Sequence, residues 1–203
     1  MDKINRAVIV LNGEICDFTF LKNDFIISCD GALKFLNSIG RKPDVILGDF
    51  DSLGYVPENA YVFPAEKDFT DGELALEYCI EKSIKEVVFI CGGGRREDHF
   101  LGNLALLIKA DNNGIKAKIE TRYSTIYIVK EPTRFDGLVV GTTFSVIPLE
   151  ESVVSSQEGL KYPYHKSLQI DSTFGVSNVV TKSNVILGVT SGRVLVFVNK
   201  TNE

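Results

Sequence analysis

Two carboxylates one residue apart close an apolar run at VILGDFDSLG, residues 45–54. Side chains of an extended chain alternate between faces, so Asp49 and Asp51 lie side by side if the strand continues through Phe50. Like charges held that close raise each other's pKa unless a cation sits between them. A solvated acidic turn is the plain alternative for one such pair standing alone. Three further segments carry related chemistry. Asp30 precedes Gly31-Ala32, Lys67 and Asp68 precede Phe69-Thr70-Asp71, and Gly92-Gly93-Gly94 runs into Arg95, Arg96, Glu97, Asp98 and His99. Asp49, Asp51, Asp68 and Asp71 supply hard oxygen ligands of the kind Mg²⁺ takes together with water and substrate phosphates. Successive N–H groups of a glycine run at a helix start form an anion site, and Arg95, Arg96 and Lys67 add donors for phosphate oxygens. The run fits neither the G-x-x-x-x-G-K-[ST] loop nor the G-x-G-x-x-G fingerprint. The chemistry indicated is metal-assisted reaction of a nucleotide polyphosphate, catalysed by positioning and charge neutralisation.

These residues need elements to hold them. The first 120 residues alternate β-rich runs (RAVIVLNG, DFIISCDG, PDVILGD, AYVFPA, EVVFICGGG, AKIETR) with helical segments (GALKFLNSIG, TDGELALEYCIEKS, DHFLGNLALLIKADNNG). Leu74, Glu77 and Tyr78 follow helical spacing and Thr70 can cap that helix. Alternation of this kind predicts right-handed crossovers and a largely parallel sheet. Ligands of such sheets bind outside the carboxyl ends of the strands, and all four polar segments fall there. Each also has a structural reading. Asp30 can be a helix N-cap, Asp68 and Asp71 can stabilise a helix dipole, and the glycines can be a flexible turn. From residue 123 the runs STIYIVKEP, GLVVGTTFSVIPL, SVVSSQEG, KSLQIDS, NVVTKSNVILGVTSG and RVLVFVNK lack helical periodicity. They predict an antiparallel all-β sandwich or barrel. The expected division is an α/β domain at 1–122 and an all-β domain at 123–203.

Bulk properties narrow the function classes. The chain has 203 residues, 44% hydrophobic and 24% charged, with a net charge of −5. No cationic block is present to neutralise a nucleic-acid backbone, so nucleic acid is not an expected partner. Cys16, Cys29, Cys79 and Cys91 show no C-x-x-C pair, against a zinc site or disulfide framework. No apolar run is long enough to span a bilayer, and the first residues lack a signal-peptide pattern. A cytoplasmic protein is expected.

The ordered set of motifs resembles the thiamine pyrophosphokinase family. The resemblance rests on Asp30-Gly31-Ala32, Gly48-Asp49-Phe50-Asp51-Ser52, Lys67-Asp68-Phe69-Thr70-Asp71 and Arg96-Glu97-Asp98-His99 with Asn103. Gly159-Leu160-Lys161-Tyr162-Pro163 and Gly175-Val176-Ser177-Asn178 look like its thiamine-side signatures. It implies Mg²⁺-dependent transfer of pyrophosphate from ATP to the thiamine hydroxyl, giving thiamine diphosphate and AMP. It further implies an ATP-binding α/β domain, a thiamine-binding β domain and a homodimer with the active site at the subunit interface. Asp49, Asp51, Asp68 and Asp71 would hold the metal, with Asp51 or Asp71 as base and Asp49 catalytic beside them. Asp30, Lys67, Gly93, Gly94, Arg96, Asp98, His99 and Asn103 would bind the nucleotide, and Ser177, Asn178 and Tyr162 the thiamine. Two positions depart from the family pattern: Arg95 stands at a usual glycine, and Tyr162 at a position that is often tryptophan. His165 is expected in an exposed loop. Two rival readings remain at this stage, a haloacid-dehalogenase-like phosphatase, whose nucleophile loop D-x-D-S imitates, and a non-catalytic nucleotide sensor.

Overall fold

The computed structural model describes residues 4–94 and 96–200; Arg95 therefore lies outside the described residues. The chain forms two compact units, divided between Arg122 and Tyr123.

In the first unit the apolar runs become six parallel strands: β1 (Arg6–Val10), β2 (Phe25–Cys29), β3 (Val45–Gly48), β4 (Tyr61–Val62), β5 (Glu86–Ile90) and β6 (Lys116–Glu120). Their order is β6-β5-β1-β2-β3-β4, every pair parallel. Three helices connect them, α1 (Ala32–Ser38), α2 (Asp71–Glu81) and α3 (Glu97–Asn112). Near-continuous apolar strands follow from burial on both faces. Val8, Val10, Val88 and Ile90 pack with Ala32 and Leu36 of α1 and with Cys16 and Phe20 of the β1–β2 connection. The alternate residues Ala7, Ile9, Val87 and Phe89 are equally buried and face the other way. The run AYVFPA yields only the two exposed residues of β4, an edge strand paired on one side. Thr70 caps α2 as expected, its hydroxyl accepting from the Glu73 N–H at 3.3 Å. Asp30 does not cap α1: the N-cap is Gly31, without a side-chain bond.

The second unit holds β7 (Ser124–Val129), β8 (Thr133–Asp136), β9 (Thr143–Pro148), β10 (Ser152–Glu158), β11 (His165–Leu168), β12 (Asn178–Val179), β13 (Asn184–Ser191) and β14 (Val194–Asn199). One antiparallel set runs β12-β9-β14-β7 and the other β11-β10-β13-β8. Phe144, Val146, Val194 and Val196 of the first set share one buried cluster with Phe135, Val154, Leu187 and Val189 of the second. That face-to-face packing makes a sandwich. Strand β8 (TRFD) went unread in the sequence because three of its four residues are polar. His165 is exposed but begins strand β11 rather than lying in a loop.

Candidate active site at the carboxyl edge of the parallel sheet

Strand order changes direction at β1, which lies between β2 and β5. The crevice outside the carboxyl ends of the strands at such a switch point is where open α/β sheets bind ligands. A cavity of about 480 Å³ opens there. Its lining includes Asn12 and Gly13 after β1, Asp30 after β2, Asp49 after β3, Lys67 and Asp71 before and in α2, and Gly92–Gly94 after β5. Arg96, His99 and Asn103 complete it from the start of α3.

The acidic pair is brought together by a turn and not by strand alternation. β3 ends at Gly48, and Phe50 takes φ 61° with its ring buried. A phenylalanine in left-handed backbone is strained by about 1–3 kcal/mol, and the buried ring holds it there. The Asp51 N–H folds back to Asp49 Oδ1 at 3.3 Å. As a result one carboxylate oxygen each from Asp30, Asp49 and Asp51 lie within 4.8 Å of one another. Asp30, expected from the sequence to bind the nucleotide, is geometrically the third member of this group. It is 7% exposed and itself left-handed at φ 45°. Its Oδ2 accepts from Asn12 Nδ2 at 3.2 Å and from Ser52 Oγ at 2.5 Å. Its Oδ1 is buried with no hydrogen-bond partner among the described residues. Three converging carboxylates, one of them with a buried unpartnered oxygen, are a donor set that fits a divalent cation.

Asp71 and Asp68, the other expected ligands, separate. The Lys67 ammonium lies 3.3 Å from Asp49 Oδ2 and 3.1 Å from Asp71 Oδ1, so Asp71 joins the group through a lysine. Asp68 is exposed and belongs neither to the group nor to the cavity lining. The electrostatics follow this arrangement. Burial pushes the Asp71 carboxyl above its ordinary value, with Asp49 and Asp30 adding to the effect and Lys67 opposing it. Burial acts the same way on Asp49, but the Asp51 N–H and the Lys67 ammonium outweigh it and hold that carboxyl low. Burial lowers Lys67, and its two carboxylate partners more than compensate.

On the phosphate side, Arg96 donates to Asp98 at 3.1 and 2.5 Å, both side chains exposed. Asp98 is outside the cavity lining. Asn103 Nδ2 donates to the Gly92 carbonyl at 2.8 Å and so fixes the glycine loop. Asn12 was missed in the sequence. Its signal was present, since the RAVIV run ends on Leu-Asn-Gly just as the other strands end on polar residues.

Gly31 offers a sharp check on how Asp30 is held. A methyl group there would come within 2.6 Å of Ser52 Oγ and 2.7 Å of Asn12 Nδ2. Both are side-chain tips, so the fold can adjust, but only by withdrawing Asp30's two donors. Gly31→Ala is expected to lower stability by about 1–3 kcal/mol, read from the urea midpoint.

In the second unit the residues expected to meet thiamine have distinct surroundings. Asn178 is buried, and its side chain accepts from the Tyr162 N–H at 3.1 Å and donates to the Tyr162 carbonyl at 2.6 Å. It therefore pins the segment that carries Tyr162. The Tyr162 ring is 57% exposed, with the Lys161 ammonium 5.4 Å from its centroid. Ser177 is exposed in left-handed backbone, φ 64°, its N–H donating to Ser145 Oγ at 2.9 Å.

Comparison with known proteins bears on both units. Residues 19–119 match the family model "Thiamin pyrophosphokinase, catalytic domain", and residues 125–194 match "Thiamin pyrophosphokinase, vitamin B1 binding domain". A thiamine pyrophosphokinase of Bacillus subtilis (strain 168) is 30% identical over 190 residues, 87% of each chain. The chain belongs to the thiamin pyrophosphokinase family. As a member it is a transferase, a kinase of thiamine diphosphate biosynthesis. The crystal structure of thiamine pyrophosphokinase from Bacillus subtilis superposes with a TM-score of 0.86 at 26% identity, covering 98% of this chain and all of that one. The Candida albicans enzyme shares the fold at 14% identity and a TM-score of 0.77, covering 96% and 89% of the two chains. The phosphatase and sensor readings gain no support, since both units match models of this one kinase family. Among the described residues no helix is long and apolar enough to cross a membrane.

Proposed function

We propose that the cavity at the carboxyl edge of the parallel sheet binds ATP with Mg²⁺, and that the chain transfers a pyrophosphoryl group from ATP to the thiamine hydroxyl, releasing AMP. The observation carrying this reading is the convergence of Asp30, Asp49 and Asp51 within 4.8 Å, with one buried oxygen of Asp30 unpartnered. Those three carboxylates would hold the metal. When bound it supplies neutralisation of charge on the transferring group and orients the polyphosphate. The glycine loop, fixed by Asn103, offers N–H groups to phosphate oxygens at the start of α3, where the helix dipole favours anions. Arg96 and His99 flank the nucleotide from the same helix end.

The thiamine hydroxyl attacks the β-phosphorus in line as the bond to the α-phosphate oxygen breaks. Asp71 takes the hydroxyl proton; it lines the cavity, whereas Asp51 does not. Ser177 and the exposed ring of Tyr162 meet the aminopyrimidine, with Asn178 holding their segment in place. The working form is a homodimer with its active site at the subunit interface, to be read by sedimentation. Four buried cysteines suit a reducing cytoplasm.

Incubation with ATP, Mg²⁺ and thiamine is expected to yield AMP and thiamine diphosphate in equal amounts. ADP with thiamine monophosphate would overturn the reaction.

A further inference from the structure

The cavity contains a cation of its own. Lys67 Nζ sits between Asp49 Oδ2 and Asp71 Oδ1 at 3.3 and 3.1 Å, with all three side chains at most 20% exposed. Asp30 and Asp51 adjoin the same Asp49 carboxylate, so the ammonium pairs with two members of a group of four carboxylates. The neighbouring cations are committed elsewhere: Lys34 Nζ donates to the Ser52 carbonyl at 2.7 Å, and Arg96 is paired with Asp98. Both Asp49 oxygens are occupied, Oδ2 by Lys67 and Oδ1 by the Asp51 N–H. A divalent ion approaching alone must displace the lysine from Asp49, and Mg²⁺ gives up its own water reluctantly. A polyphosphate on the glycine loop changes that balance. Lys67 and Gly92–Gly94 line one cavity, so the phosphates offer the ammonium a second set of anionic oxygens.

We infer that Lys67 is a built-in counter-ion that competes with free divalent metal for Asp49 and is drawn off by the nucleotide's phosphates, so that metal and nucleotide bind as a coupled pair. Lys67 is thus a positioning residue for the metal before it becomes a contact for phosphate. The inference rests on the metal and nucleotide reading given under Proposed function. Coupling between two ligands is reciprocal, and five- to 150-fold is its usual range.

The test uses Mn²⁺ as the metal probe, titrated calorimetrically into the parent, Lys67→Gln, Lys67→Met and Lys67→Arg. Two neutral variants are made so that one folded example suffices, with thermal melts checking each. Without nucleotide, the neutral variants are expected to bind Mn²⁺ about tenfold more tightly than the parent, and Lys67→Arg about as weakly. An ATP analogue with methylene in place of the α,β-bridging oxygen, titrated at saturating Mn²⁺, is expected to bind the neutral variants about tenfold more weakly. A lysine that merely stabilised the fold would weaken both affinities or neither, so opposite signs are the signature. Mn²⁺ binding no tighter in the neutral variants than in the parent overturns the inference and leaves the metal site standing. No Mn²⁺ binding in any protein, even with the analogue, removes the metal site itself and the inference with it.

Discussion

Asp51→Asn is expected to fold as the parent does and to lose turnover by about 100- to 1,000-fold, the usual cost of removing one preorganised electrostatic group. The fold is spared because Asp51 is exposed and because its backbone N–H, not its carboxylate, closes the turn onto Asp49. Asparagine keeps that N–H and the side chain's shape. It removes one of three negative charges held within 4.8 Å of one another, and with it part of the attraction for a divalent ion. Without metal that same loss relieves repulsion, so the variant should melt no lower than the parent. With Mg²⁺ and nucleotide present the order reverses, since only the parent gains the full stabilisation of the bound state. Turnover at saturating substrates and melts with and without Mg²⁺ read both halves. Near-parental turnover would take Asp51 out of the site.

The frame of this site could be read from strand ends. Apolar runs of β-branched residues gave five of the six parallel strands at useful length, because burial on both faces leaves a continuous hydrophobic signature. Their polar terminators fell at one edge because parallel strands present all their carboxyl ends together. What the sequence did not reveal depends on backbone shape and on contacts distant in the chain. The left-handed conformation of Phe50 is a tertiary effect: its ring is buried, and no local propensity calls for φ 61°. Asp30 reads as a nucleotide contact with a helix cap as the plain alternative, and neither shows its bonds to Asn12 and Ser52, which cross 18 and 22 residues. Lys67 reads as a phosphate ligand, since a sequence shows a lysine's charge but not which anion it meets when phosphate is absent. Asn178 reads as a substrate contact, and the sequence does not show that its amide also binds the backbone of Tyr162. Strand β4 falls short of the AYVFPA run because an edge strand has a partner on one side only.

Gly48→Ala is expected to destabilise the chain by about 3 kcal/mol or more and to abolish turnover in whatever folds. Gly48 adopts φ 150°, and an added Cβ would lie 3.0–3.1 Å from Cα, Cβ and N of Asp30. These atoms cannot swing aside. Asp30 N–H is bonded to the Leu47 carbonyl at 2.8 Å, and Phe63 N–H to the Gly48 carbonyl at 3.0 Å, so the glycine is fixed from both sides. Backbone strain accounts for about 1–3 kcal/mol; the steric contact adds to it by prising β3 from the end of β2. Gly114→Ala separates the two contributions. Gly114 is also left-handed, φ 66°, just after α3, with nothing within 4 Å of an added Cβ. It should cost about 1 kcal/mol and leave turnover intact, by urea midpoints and steady-state rates. The excess loss at Gly48 then measures how closely β3 must approach Asp30 for three carboxylates to meet; equal losses at the two glycines would mean that the approach does not matter.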